Sequence, residues 1–139
     1  MEYRQPIAGE PSAGTLHFLP FSKREAKLVS ITGYGWYEVD FSAKVPTGTK
    51  AVLAFFDAQD TDGQGILLAH GDDSENAYNT DIWPECAMII FKSATLSGGS
   101  RVGAQGIVQA PEGIFYIAQY PDSSWDISVA EITIQGYYR

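Results

Sequence analysis

The chain is short of the residues that many catalytic and nucleic-acid-binding proteins depend on. It has one cysteine, Cys86, so no internal disulfide can staple it. Cys86 precedes Ala87, Met88, Ile89 and Ile90, and a buried, inert thiol is expected there. There are two histidines, His17 and His70, far apart and without metal-ligand spacing. Lys and Arg number 9 against 17 Asp and Glu, for a formal net charge of −8. Binding to a phosphate backbone needs Lys and Arg to displace counterions, so no nucleic-acid partner is expected. No apolar run approaches the ~20 residues of a membrane-spanning helix, so no membrane partner is expected either. Met1 to Pro6 lacks the charged-then-apolar plan of a secretory signal, which fits a chain made in the cytoplasm. No Gly-x-Ser-x-Gly elbow occurs, nor any Walker or dinucleotide glycine pattern. Carboxylate pairs can always be drawn among 17 acids and carry no signal. No catalytic residue is assigned, and the chain reads as a non-enzyme.

What is present is the grammar of short strands. The 139 residues suffice for one domain with a sizeable core, and 45% hydrophobic with 19% charged residues is a globular balance. Glycines (14) and prolines (7) are spread through the chain, as turns between many strands would require. The clearest stretch is Val39 to Phe56. Val39 and Phe41 alternate with Asp40 and Ser42, the period of a half-buried strand. Pro46 fixes φ at the first corner of a turn, and Gly48 accepts a positive φ. Ala51 to Phe56 is an unbroken apolar run bounded by turn signals, which fits a central strand covered on both faces. The stretch reads as strand, tight turn, strand.

The pattern Trp36, Val39-Asp40-Phe41-Ser42, Val45-Pro46, Gly48 and Lys50-Ala51-Val52-Leu53 resembles a segment of β-sandwich modules in tailed-phage virion proteins, such as tail-fibre and capsid-decoration domains. Those modules also tend to end in a strand closing on Gly-Tyr, as Gly136-Tyr137 does here. The resemblance spans Trp36 to Tyr137 if the middle is allowed insertions. Its motifs are structural and carry no catalytic residue. It implies a virion structural module of a phage or prophage, made in the host cytoplasm, partnering capsid or tail proteins and forming a homo-oligomer, with a trimer as one form.

Residues 1–15 hold Pro6, Gly9, Pro11 and Gly14 and cannot be continuous helix or strand. They read as an extended N-terminal arm, or a frayed tail, on a domain spanning 16–139. Tyr3 and Ile7 are apolar groups that an idle tail would not need, so they are candidate partner-binding residues. Leu16 to Leu19 reads as a short strand. Ser22 and Glu25 form a capping box for a short helix ending near Lys27. Further strands are expected at 28–32, 36–41, 50–57, 65–70, 87–91, 101–108 with a bulge or bend at Gly103 and Gly106, 114–118 and 126–137. In the last, Ile127 and Val129 share one parity and Ile132 and Ile134 the other. That requires a bulge near Ala130–Glu131 or burial on both faces. The fold class is all-β: an antiparallel sandwich, jelly-roll-like, of about eight strands.

Three clusters are candidates for binding. Asp57, Asp60 and Asp62, with Gly63 and Gly65, form an acidic loop that could hold Ca²⁺ through its oxygens. The EF-hand spacing fails, however, and a plain hairpin loop explains the same residues. Asp72, Asp73 and Glu75 form a second such group. No metal or other cofactor is assigned. Tyr78, Asn79, Asp81 and Trp83, in the long polar stretch 71–84, could stack on a sugar and bond its hydroxyls. That makes a carbohydrate-binding module the alternative function. Trp83 competes for a protein contact as well. Trp36 and Trp125 read as core or edge packing.

Overall fold

Alternation of apolar and polar residues, cut by proline and glycine, produces nine strands among the described residues of the computed structural model. It describes residues 14–33, 35–60, 64–74, 77, 86–92, 101–119 and 127–139. The strands are β1 (Leu16–Phe18), β2 (Ala26–Ser30), β3 (Tyr37–Asp40), β4 (Ala51–Asp60), β5 (Gln64–His70), β6 (Ala87–Lys92), β7 (Arg101–Gln109), β8 (Ile114–Gln119) and β9 (Ile127–Tyr138). Among the described residues the helical elements are 3-10 turns, at Phe21–Lys23, Ser42–Lys44 and Pro111–Gly113.

Two antiparallel sheets result. In sheet A, β4 lies between β9 and β7, and β1 and β2 share the far edge of β9 end to end. Sheet B runs β3, β8, β5, β6. Counting β1 with β2 as one rank gives two sheets of four ranks. After that first rank, every connection crosses between sheets except the one from β5 to β6. This is the jelly-roll order of interlocked Greek keys.

The core lies between the sheets. Val52, Ala54 and Phe56 of β4 face Val39, Phe115, Ile117, Leu67 and Ala69 of sheet B, all but closed to solvent. Phe115 ties the layers together. Its ring lies 6.2 Å from Phe41 and 6.2 Å edge-on from Phe56, separations typical of favourable aromatic pairs. Strand β9 carries two bulges, and the first of them resolves its parity conflict. Ser128 is the extra residue between the Asp60–Ile127 and Gln59–Val129 pairs, and Gln135 between the Ala54–Ile134 and Leu53–Gly136 pairs. Ile127, Ala130, Ile132 and Ile134 are therefore all buried in one core. Of the two expected alternatives, a bulge or burial on both faces, the structure takes the bulge and places it at Ser128, two residues before Ala130.

Several sequence expectations need correction. β3 and β4 do not pair with each other. They belong to opposite sheets, and residues 41–50 carry the chain across. The turn inside that crossing has Thr47 and Gly48 at its corners, because Thr49 N donates to Pro46 O (3.3 Å) and Gly48 has φ +89°. The helix expected near Ser22 is a single 3-10 turn, and Ala26 and Lys27 already pair with β9. β7 pairs with β4 in unbroken register, so Gly103 and Gly106 mark no bulge. A Cβ at Gly103 would lie 2.3 Å from the Phe55 ring, so that glycine makes room for a ring crossing from the next strand. β4 extends through Asp60, so Asp57 and Asp60 belong to a strand and not to a loop.

Candidate functional site

The outward face of sheet A follows from the register. Since Val52, Ala54 and Phe56 point into the core, Leu53, Phe55 and Asp57 point away from it. Across the sheet, Leu53 aligns with Ile107 on one side and Gly136 on the other, and Gly136 with Phe18. One row thus reads Phe18, Gly136, Leu53, Ile107. Phe18 and Ile107 are 65% and 54% exposed, while Leu53 between them is buried. Gly136 has no side chain because a Cβ would meet His17 O at 2.8 Å. The next row is Ala26, Thr133, Phe55 and Gln105, with Phe55 37% exposed. The row after it is Leu28, Glu131, Asp57 and Gly103. Leu28 is 67% exposed. The three rows carry no Lys or Arg, and Asp57 and Glu131 stand directly opposite each other. The first row is apolar across four ranks, the second sets Thr133 and Gln105 around Phe55, the third carries Asp57 and Glu131, and Arg101 stands opposite Gln59 in the row beyond. Large exposed apolar patches mark contact sites.

Sheet B presents a different outer face. Leu68 and Ala118 are paired across β5 and β8 and point away from the core, yet both are fully buried. Trp36, one residue before β3, supplies a ring on that side, 6.3 Å from the His70 ring. It packs there at the edge of sheet B, where β3 is the outermost strand. Ala77 is also buried. Nearby, Tyr116 has its phenol pushed up by burial first and then by Asp73, Glu38, Asp72 and Asp40. Asp72 and Asp40 each cap a turn. Their carboxylates accept from Ser74 N and Ser42 N at 2.8 Å, which holds both below the ordinary carboxylate range.

The ends of the sandwich are tied by polar contacts. Gln119, 4% exposed, accepts from Ile127 N (3.2 Å) and donates to Gly33 O (3.4 Å). Tyr37 Oη accepts from Thr32 N (3.0 Å) and Gly33 N (3.1 Å). Hydrogen bonds from Thr32 and Gly33 hold its phenol below its usual value. At the opposite end Glu112 sits at φ +57°, a costly conformation for a residue with a Cβ. It is held there because Glu112 N donates to Thr49 O (2.8 Å) and its carboxylate accepts from Gly48 N (3.0 and 3.1 Å).

The structure separates most of the sequence candidates. Asp57 and Asp60 lie three residues apart in an extended strand, roughly 10 Å at 3.3 Å per residue. Among the described residues no three His, Cys, Asp or Glu side chains come together as a metal set. His17 stacks on Tyr137 (5.0 Å) in sheet A, whereas His70 is in sheet B. Cys86 is half-buried, not closed off as its apolar neighbours suggested. Tyr3, Ile7, Asp62, Glu75, Tyr78, Asn79, Asp81, Trp83 and Trp125 lie outside the described residues. Sequence reading missed the outward apolar residues Phe18, Leu53 and Ile107 of one row and Phe55 of the next. The signal for it was the adjacent pairs Phe55–Phe56 and Ile107–Val108, since alternation must turn one member of each pair away from the core.

In sequence the chain matches no protein-family model and no curated protein. Among solved structures it is similar to the Tobacco streak virus coat protein, with 9% identity and a TM-score of 0.36 over 84% of this chain and 89% of that one. That likeness is too distant to bear on function, and the jelly-roll assignment rests on the strand pairings themselves.

Proposed function

We infer that this chain is a non-enzymatic structural module of a virus particle, assembling through protein–protein contacts. The observation that carries the reading is the outward row of sheet A. A strand face of a small acidic domain keeps Phe18, Ile107 and Phe55 in contact with solvent, which is costly unless a partner covers them. The sequence resemblance of the Trp36–Leu53 segment to tailed-phage virion modules supplies the context. Capsid domains are also among the common users of jelly rolls. Capsid decoration and a place in a tail fibre are the two positions the resemblance supports. Tyr3, Ile7 and Trp83 are proposed as further contact residues, and the chain as a homo-oligomer within the particle.

Mass spectrometry of purified particles tests the reading. Peptides of this chain are expected at the abundance of a structural component, and its mass in solution is expected to exceed one protomer. A protein that is monomeric at every concentration and missing from particles would overturn it.

A further inference from the structure

We propose that β7 pairs edge to edge with β7 of a second copy of this chain, antiparallel about a two-fold axis at Gln105, joining the two A sheets into one. This rests on the assembly reading above and names one contact of it. Among the described residues no strand pairs with the outer side of β7, and β6 of sheet B runs close to it without pairing. A free edge is a template for another chain unless it is short, charged or kinked. The other edges are guarded in that way. β1 and β3 have three and four residues, β2 sets Lys27 opposite the core residue Ile132, and β6 ends on Lys92. β7 runs for nine residues in unbroken register, with no proline, no lysine and its one charged residue, Arg101, at the first position.

The register follows from the strand's own residues. Gly103, Gln105, Ile107 and Gln109 are exposed on the outward face, so the pleat requires odd positions to meet odd positions. Centring on Gln105 pairs the whole of β7, whereas centring on Gly103 or Ile107 leaves one end unpaired. Gln105 then faces the partner's Gln105, and Arg101 faces the partner's Gln109, so no like charges meet. Gly103 faces the partner's Ile107. The Phe55 ring lies over Gly103, which has no side chain to displace it. The partner's Ile107, entering beside that glycine, closes against the ring. By the two-fold, Ile107 closes in turn against the partner's Phe55. One register thus covers the two outward apolar residues nearest this edge, and the free N–H and C=O groups of β7 gain the partners of an antiparallel ladder.

The test exploits the axis, which sets residue 105 against itself. Gln105→Lys and Gln105→Glu are made in the full chain. Sedimentation equilibrium is run on the wild type, on each variant and on their equal mixture, with circular dichroism to show that each variant keeps the wild-type fold. Gln105 is exposed on the outward face, so neither change enters the core. Each variant alone is expected to dimerise about fivefold more weakly than the wild type, since like charges directly opposite in a strand pair repel. The mixture should dimerise about fivefold more tightly than either variant alone. Ile107→Ala should weaken the wild-type pair about tenfold, because the axis removes the apolar contact twice. Leu28→Ser, on the far edge of sheet A, should change nothing. A wild-type monomer, a Gln105→Lys chain that dimerises as the wild type does, a mixture of folded variants no tighter than its components, or a dimer lost in Leu28→Ser would each overturn the proposal. If it is overturned while the chain still copurifies with particles, only this contact is lost and the structural role stands. A dimer that behaves as expected in a chain missing from every particle would keep the contact and refute the role.

Discussion

Replacing Phe55 and Phe56 by alanine, one at a time, should give unequal losses of stability. The two residues are chemically identical neighbours. Phe56 is fully buried, with its ring against Phe115, while Phe55 is 37% exposed on the outer face and lies over Gly103. Phe56→Ala removes a closed core ring and leaves a cavity between the sheets, at a cost of about 3–5 kcal/mol. Phe55→Ala removes a ring still partly wetted by solvent and opens no cavity. Burial of about two-thirds of a side chain worth about 2 kcal/mol predicts a loss of about 1–1.5 kcal/mol. Urea unfolding at low protein concentration, where association contributes least, measures both. With a slope of about 2 kcal/mol per M, the Phe56→Ala midpoint should fall by about 2 M and the Phe55→Ala midpoint by about 0.6 M. Losses within 1 kcal/mol of each other would refute the face assignment of β4 and, with it, the outward apolar row.

Other consequences are as direct. Gly113→Ala should cost more than about 2 kcal/mol, since φ is +85° and the new Cβ would lie 2.6 Å from Val45 Cγ2 and 3.2 Å from the Phe41 backbone. Gly48→Ala has a similar φ but open space, and thermal melts should show only about 1 kcal/mol. Tyr37→Phe withdraws the oxygen that accepts from Thr32 N and Gly33 N and should cost about 1–2 kcal/mol by urea titration. Asp40 has a lowered folded pKa, so the stability its carboxylate contributes is present above about pH 4 and fades as pH falls through the folded value. The gap between wild type and Asp40→Ala should therefore close on acidification. It should not exceed about 1 kcal/mol at neutral pH, because the carboxylate is exposed and solvent screens it.

Much of the fold was legible because strand and turn signals are local. Pro46, Gly48 and the alternation around Val39 placed β3 and β4 within a few residues of their observed bounds. What sequence could not supply was pairing. Nothing local distinguishes a hairpin from a crossing between sheets, so β3 and β4 read as neighbours when they lie in opposite layers. The bulges of β9 were half visible: the parity conflict demanded an extra residue, but its place depends on register with β4. The contact surface was hidden for a related reason. Ala51 to Phe56 reads as apolar throughout, and only a register decides that Phe55 faces outward. The aromatic group around Trp83 stood out by composition, while the row through Ile107 is assembled from four ranks distant in sequence.

The two extra residues of β9 also make that strand its own phase corrector. If Gln135 stayed but its bulge were ironed flat, Gln135 would stand opposite Leu53, Gly136 opposite Val52 and Tyr137 opposite Ala51, so Tyr137 would turn outward and leave its place beside His17. Deleting Gln135 does the reverse: Gly136 then follows Ile134 directly, and the pairs Ile134–Ala54, Gly136–Leu53 and Tyr137–Val52 are all kept. The closing end of the domain thus tolerates losing that glutamine better than losing the bulge around it.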